Sequence, residues 1–222
     1  MKYLFKNNHS KELMVVFSAF AAREGERGYN YVKTLRNLKI DTLFIKDNWG
    51  VLGSYYWFEN GQDKPYKLTE SLINMVISRG EYDAIYTAGS SKGGTDAIFF
   101  GLQIGAKEIF SAACQYNVGS YLNDKERGNV FRGMMGQNAG EKEENDLNEV
   151  MPQQLKKFAH SKSLVHILYS KEEHTYKEHI IDLIEDLKKN DILFTEQVES
   201  FTEHGEVGKF FVPYLKNYFG LN

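Results

Sequence analysis

Residues 84–94 read Ala84-Ile85-Tyr86-Thr87-Ala88-Gly89-Ser90-Ser91-Lys92-Gly93-Gly94, and the reading of this stretch decides the fold. An apolar run feeds directly into Gly89-x-Ser91-x-Gly93, the pattern of a sharp strand-to-helix turn that lifts a serine hydroxyl above a sheet. Glycine flanks such a turn because the chain packs too closely there for a side chain. The register is unique: Ser90 at the apex would need glycine at positions that hold Ala88 and Lys92. Ser91 is therefore the candidate nucleophile. Residues 82–88 read as a short buried strand. In residues 94–104, Ala97, Ile98, Phe100 and Gly101 recur at spacings that let a helix lie close on a sheet. The competing reading is a glycine-rich strand-to-helix turn without chemistry. A phosphate loop fits less well, since the order is Lys92-Gly93 rather than Gly-Lys-Ser/Thr.

Outward from this turn, strand-like and helix-like segments alternate. Apolar runs at 13–18, 42–46, 108–114, 164–169 and 192–198 read as strands; helical spacing marks 29–38, 68–78, 176–187 and 207–219. Alternation of this kind predicts an α/β fold with a mainly parallel central sheet and helices on both faces. Two segments depart from it. Residues 47–61 place Trp49, Tyr55, Tyr56 and Trp57 among glycines just after a strand, where aromatic rings either cover a core or line a substrate cleft. Residues 119–156 are polar and mixed, with a glycine-rich part at 128–140 and an acidic run at 141–146, and their position suits a small lid. The acidic run reads as a solvated helix start rather than a metal site.

Composition bounds the possibilities. A chain of 222 residues with 42% hydrophobic residues suits one domain spanning 1–222 with one sizeable core. A net charge of -3 and an isoelectric point near 6.1 point to no nucleic-acid partner. Cys114 is the single cysteine, so neither an internal disulfide nor a cysteine metal cluster is available. Residues 1–11 carry charge without an apolar core of the signal-peptide kind, and no run of 18 apolar residues occurs. The expectation is a soluble, cytoplasmic protein without a membrane span, a metal or a cofactor.

A serine hydroxyl is a weak nucleophile at neutral pH, so Ser91 needs a base, and the base needs an acceptor to fix its tautomer. Of six histidines, His204 stands apart: it follows the last strand, lies in a Glu203-His204-Gly205 loop and precedes the final helix. That is the place of the base in the chain order nucleophile, acid, histidine. The acid is expected just past the 164–169 strand, where Glu173 is the first choice and Glu172 the alternative. Backbone donors for an oxyanion are expected from the N–H of Lys92 and from the loop after the first strand, at Ala19 or Phe20. The Lys92 side chain adds a cation beside the site or is simply exposed on the first helical turn.

With these residues in view, the chain resembles the α/β-hydrolase superfamily over nearly its whole length. Four stretches resemble, more narrowly, a bacterial group found among capsular polysaccharide biosynthesis proteins and accessory secretion proteins for serine-rich adhesins. They are Arg27-Gly28-Tyr29-Asn30-Tyr31 with Thr34-Leu35, the elbow Gly89 to Gly94, Glu173-His174-Thr175-Tyr176, and His204-Gly205-Glu206-Val207-Gly208-Lys209. The resemblance implies a Ser-Glu/Asp-His site at Ser91, Glu173 and His204, with acylation or deacylation of a carbohydrate or glycan ester. Hydrolysis and transfer differ only in the acceptor that reaches the acyl-enzyme. The alternative is a non-catalytic or weakly catalytic subunit of a polysaccharide or glycoprotein assembly or export complex, with protein partners in that system.

Overall fold

The run Glu12–Phe17 alternates between two cores, and this alternation sets the layering of the molecule. In a computed structural model that describes residues 1–20 and 28–221, Leu13, Val15 and Phe17 pack into one apolar cluster, and Met14 and Val16 into another on the opposite face. Strands buried on both faces are continuous in hydrophobicity, as this one is.

Seven strands form one sheet: β1 (Lys2–Lys6), β2 (Glu12–Phe17), β3 (Asp41–Lys46), β4 (Ala84–Ser90), β5 (Glu108–Ala112), β6 (Leu164–Ser170) and β7 (Phe194–Glu199). Their order is β1-β3-β2-β4-β5-β6-β7, parallel throughout except for the antiparallel edge pair β1 and β3. Eight α-helices occur among the described residues: α1 (Lys64–Gly80), α2 (Lys92–Gln103), α3 (Val118–Leu122), α4 (Gly128–Met135), α5 (Glu141–Asn148), α6 (Val150–Lys157), α7 (Ile181–Lys189) and α8 (Val207–Tyr218). Helix α2 packs with the Phe17 face, whereas Phe211 and Leu215 of α8 pack with the Met14 face. From β2 the chain moves outward to β3 and then returns to the other side at β4. Such a reversal opens a crevice at the carboxyl ends of the two strands, and the loops after β2 and β4 border it.

Two expectations change. Residues 29–38 form no helix: Tyr31 has φ 63°, and a turn closed by Leu35 N–H to Tyr31 O at 2.9 Å follows. Its apolar side chains Leu35 and Leu38 still reach the core, which is why the spacing looked helical. In the aromatic loop Tyr55, Tyr56 and Trp57 are buried in the core with Phe17, Phe99 and Phe100, and Trp57 also borders an apolar pocket with Phe58, Tyr66 and Phe99. The cause is the Asp47 carboxylate, which accepts the N–H groups of Trp49, Ser54 and Tyr56 and curls the loop back over the sheet. Burying each large ring contributes about 1.5–3 kcal/mol. Trp49 alone of the four stays partly exposed.

Residues 119–156 are helical for most of their length, and Leu122, Phe131, Met134, Leu147, Met151 and Leu155 join the main core. The acidic run starts α5 as expected, with the Glu143 carboxylate accepting the Gly140 N–H at 2.9 Å. No helix among the described residues is long and apolar enough to cross a membrane.

Candidate active site

The elbow is held in a conformation that only its neighbours make tolerable. Ser91 has φ 52° and ψ -131°, a left-handed backbone that costs a non-glycine residue about 1–3 kcal/mol. Glycine is obligatory on both sides: a Cβ at position 89 would lie 2.0 Å from the Gly93 carbonyl oxygen, and one at 93 would lie 2.6 Å from that of Phe17. The turn is pinned by Ser91 N–H to Ala112 O at 2.8 Å and by Gly94 N–H to Ser91 O at 2.8 Å.

Beneath it, Lys92 is buried rather than exposed. Its ammonium lies 3.1 Å from Asp47 Oδ2 and 2.9 Å from Asp96 Oδ2, and 4.2 Å from the centre of the Tyr56 ring. Burial alone would lower the lysine pKa, but the two carboxylates outweigh it and keep the group charged. Burial pushes Asp96 up to about 7, against the pull of Lys92. This ion triad joins the loop after β3 to the first turn of α2, and so fixes the elbow against the aromatic loop.

His204 opens a short 3-10 turn, His204–Glu206, ahead of α8. Its Nε2 lies 2.8 Å from Ser91 Oγ and its Nδ1 lies 3.0 Å from Glu173 Oε1. An ionised carboxylate only accepts, so Nδ1 carries the proton and Nε2 offers its lone pair to the serine O–H. Glu173 is buried; its Oε2 accepts the N–H of Thr175 at 3.1 Å and the Thr175 hydroxyl. Burial alone would raise the Glu173 pKa, but hydrogen bonds from His204 and Thr175 prevail and hold it below the ordinary carboxylate value. Glu172 points elsewhere, with both its oxygens 3.3 Å from Ser200 Oγ. The Ser170 hydroxyl accepts the N–H groups of Glu172 and Phe201, tying the acid loop to the loop that carries the histidine.

Of the expected oxyanion positions, Lys92 begins α2, where the first N–H groups have no partner in the helix. After β2, the Ser18 N–H donates to Tyr56 Oη at 3.0 Å and the Ala19 N–H to Asn30 Oδ1 at 3.1 Å. Of the two positions expected, the Ala19 amide is thus engaged. Arg27, part of one stretch that carries the resemblance, lies outside the described residues.

Sequence reasoning missed Gln115. It is fully buried three residues beyond β5, its Nε2 donates to Ser91 Oγ at 3.2 Å, and its Oε1 accepts from the Tyr55 hydroxyl at 3.2 Å. Its Nε2 also lies 3.5 Å from the Ala113 carbonyl oxygen, which can only accept, so the N–H end of the amide faces the serine. A lone glutamine in the otherwise apolar run Ala112 to Tyr116 was the available signal. One group among the described residues has metal-ligand spacing: atoms of Glu173, His174 and His204 lie within 4.8 Å of one another. Two of them already form the Glu173–His204 hydrogen bond, so a cation there would break that contact.

The sheet order, the elbow and the helices on both faces define the α/β-hydrolase fold. No family model matches the sequence, and no curated protein matches it either. Among solved structures, the capsule O-acetyltransferase of Neisseria meningitidis serogroup A is similar at 20% identity with a TM-score of 0.82, over 98% of this chain and 90% of that one. A mutant of that enzyme in complex with CoA aligns with a TM-score of 0.81 at 21% identity, again over 98% and 90%. A Glycosylation Associate Protein complex from Streptococcus agalactiae aligns at 15% identity and a TM-score of 0.70, over 95% of this chain and 42% of that one. A substrate-bound, fluorophosphonate-binding serine hydrolase of Staphylococcus aureus aligns at 12% and 0.63, over 99% and 97%.

Proposed function

We propose that this protein is a serine esterase or acyltransferase that works through an acyl-enzyme on Ser91. The observation that carries the reading is the unbroken hydrogen-bonded line from Ser91 Oγ through both nitrogens of His204 to Glu173. Ser91 Oγ attacks an ester or thioester carbonyl while His204 Nε2 takes its proton; Glu173 orients the imidazole and stabilises its charged form. The N–H groups of Lys92 and Phe20 receive the oxyanion, and His204 returns the proton to the leaving group. Water or a sugar hydroxyl then gives its proton to His204 and takes the acyl group from the serine. Likeness to the capsule O-acetyltransferase supports a carbohydrate hydroxyl as the acceptor, and the CoA complex of that enzyme supports a thioester donor.

A chromogenic acyl-ester assay of wild type, Ser91→Ala and His204→Ala tests this. Each substitution lowers kcat by on the order of 10^4-fold or more. Activity surviving both would remove the assignment. A second reading, a non-catalytic subunit of a glycan-assembly complex, is supported by the likeness to the streptococcal complex. It gains if the folded wild type shows no turnover of ester or thioester.

A further inference from the structure

Glu173 carries a second histidine on the same carboxylate oxygen. His174 Nε2 lies 3.0 Å from Glu173 Oε1, the atom that also meets His204 Nδ1 at 3.0 Å, and the two rings stand 5.5 Å apart between centres. One histidine on that oxygen is enough to fix the tautomer of the base; the second is not needed for that task. It does complete a set of donors. Ligand atoms of Glu173, His174 and His204 lie within 4.8 Å of one another. Bonds of about 2.1 Å set neighbouring ligand atoms of a tetrahedral zinc site roughly 3.4 Å apart. The two 3.0 Å pairs are close to that spacing, and the exposed His174 closes the third pair by a side-chain movement.

Two further observations point to a metal rather than to an ordinary ion pair. Each candidate ligand is oriented through its other polar atom, as metal ligands are. Glu173 Oε2 accepts the Thr175 N–H and hydroxyl, His174 Nδ1 lies 2.9 Å from Glu178 Oε2, and His204 Nε2 faces Ser91 Oγ at 2.8 Å. With its proton on Nδ1 toward Glu178, His174 presents the Nε2 lone pair to a cation beside Glu173, the carboxylate–histidine–metal arrangement. The site is also open. The His174 and His204 side chains keep 39% and 26% of their surface, so a hydrated cation reaches them and retains water as its fourth ligand. Two imidazoles and one carboxylate favour zinc and its neighbours over magnesium and calcium, which take oxygen ligands.

We propose that Glu173, His174 and His204 form an inhibitory site for a divalent transition-metal ion of the zinc class. Its effect on catalysis rests on the serine acyl-enzyme reading. A metal at His204 Nδ1 leaves the one ring proton on Nε2, which then donates to Ser91 Oγ instead of accepting from it. Glu173 is bound to the cation rather than to the imidazole. The base is lost while the residues of the site stay in place, so removal of the metal restores activity.

The test is a zinc chloride titration of chelator-treated protein, read by hydrolysis of p-nitrophenyl acetate and, separately, by isothermal titration calorimetry. Wild type binds one equivalent, loses hydrolysis along the same curve and recovers it with EDTA; magnesium chloride at about tenfold higher concentration does neither. His174→Gln removes one ligand at an exposed position. The zinc concentration for half-inhibition, taken against the variant's own zinc-free rate, then rises by about tenfold or more. Glu178→Ala keeps all three ligands and raises it by about tenfold. Ser91→Ala hydrolyses nothing yet still binds one equivalent, which reads the site apart from the enzyme. A wild type that zinc leaves active overturns the proposal, as does equal inhibition by magnesium or a half-inhibition unmoved by His174→Gln. In those cases the serine enzyme still stands. If zinc-free wild type hydrolyses no ester, the acyl-enzyme reading falls and calorimetry alone decides the site: one equivalent in wild type with weaker binding in His174→Gln upholds it, and no binding overturns it.

Discussion

Ser91 owes its position to strain that its neighbours absorb. Its hydroxyl has one proton and two lone pairs: the proton points to His204 Nε2, one lone pair accepts from Gln115, and the other is free to attack. Gln115 thus sets the rotamer of the Ser91 hydroxyl. Gln115→Leu lowers kcat by about 10-fold with little change in KM, and Tyr55→Phe gives a smaller loss in the same direction, checked by steady-state kinetics. Equal effects on a distant probe such as thermal stability alone, with kinetics untouched, contradict this role. Glu173→Gln removes the acceptor that fixes the tautomer and lowers kcat by roughly 10^2–10^4-fold. Ser91 and His204 were legible in the sequence because motif register and chain order are one-dimensional properties. The preference for Glu173 over Glu172 had only its distance from the strand end to rest on. The two differ in how one loop curls, which depends on Ser170 and Thr175 holding it. Gln115 stood out only as a polar residue in an apolar run, and its role comes from Tyr55, sixty residues away.

Elements show the same division between local pattern and remote contact. The elbow glycines answer to backbone collisions, so Gly89→Ala, with a Cβ 2.0 Å from a carbonyl oxygen, destabilises by more than about 3 kcal/mol or prevents folding. Gly208→Ala, inside α8 with nothing within 4 Å of the added carbon, stabilises by about 0.5–1 kcal/mol. Urea denaturation of the two variants measures both, and opposite signs are expected. Buried strands β2 to β6 were readable as apolar runs. β1 was not, because Lys2–Lys6 sets only three apolar residues between two lysines and pairs only with β3, at the edge of the sheet. Residues 29–38 carry helical spacing without a helix, since the left-handed Tyr31 breaks the backbone while Leu35 and Leu38 still bury. The aromatic loop reads as a surface feature until the Asp47 carboxylate, buried against Lys92, is seen to fold it inward.

At the scale of the molecule, the fold was legible because strand and helix patterns alternate along most of the chain, and the reversal between β3 and β4 then places the crevice beside Ser91. His179, buried on the turn Tyr176–Ile180, has a consequence for the whole protein. Burial lowers the His179 pKa from 6.5 to about 4, with Glu178 and Glu173 opposing the shift and His174 and His204 adding to it. The unfolded chain therefore binds a proton between those values that the native state does not, and stability falls as pH drops from about 6.5 to 4, by on the order of 2–3 kcal/mol. Denaturation across this window, in wild type and His179→Phe, checks the sign: the variant loses that part of the slope.

The central claim is that Ser91 is an activated nucleophile, and intact-mass spectrometry after treatment with a fluorophosphonate tests it most directly. The folded wild type gains one adduct, mapped to Ser91, and Ser91→Ala gains none. A folded wild type that stays unlabelled, or an adduct that persists in Ser91→Ala, contradicts the account.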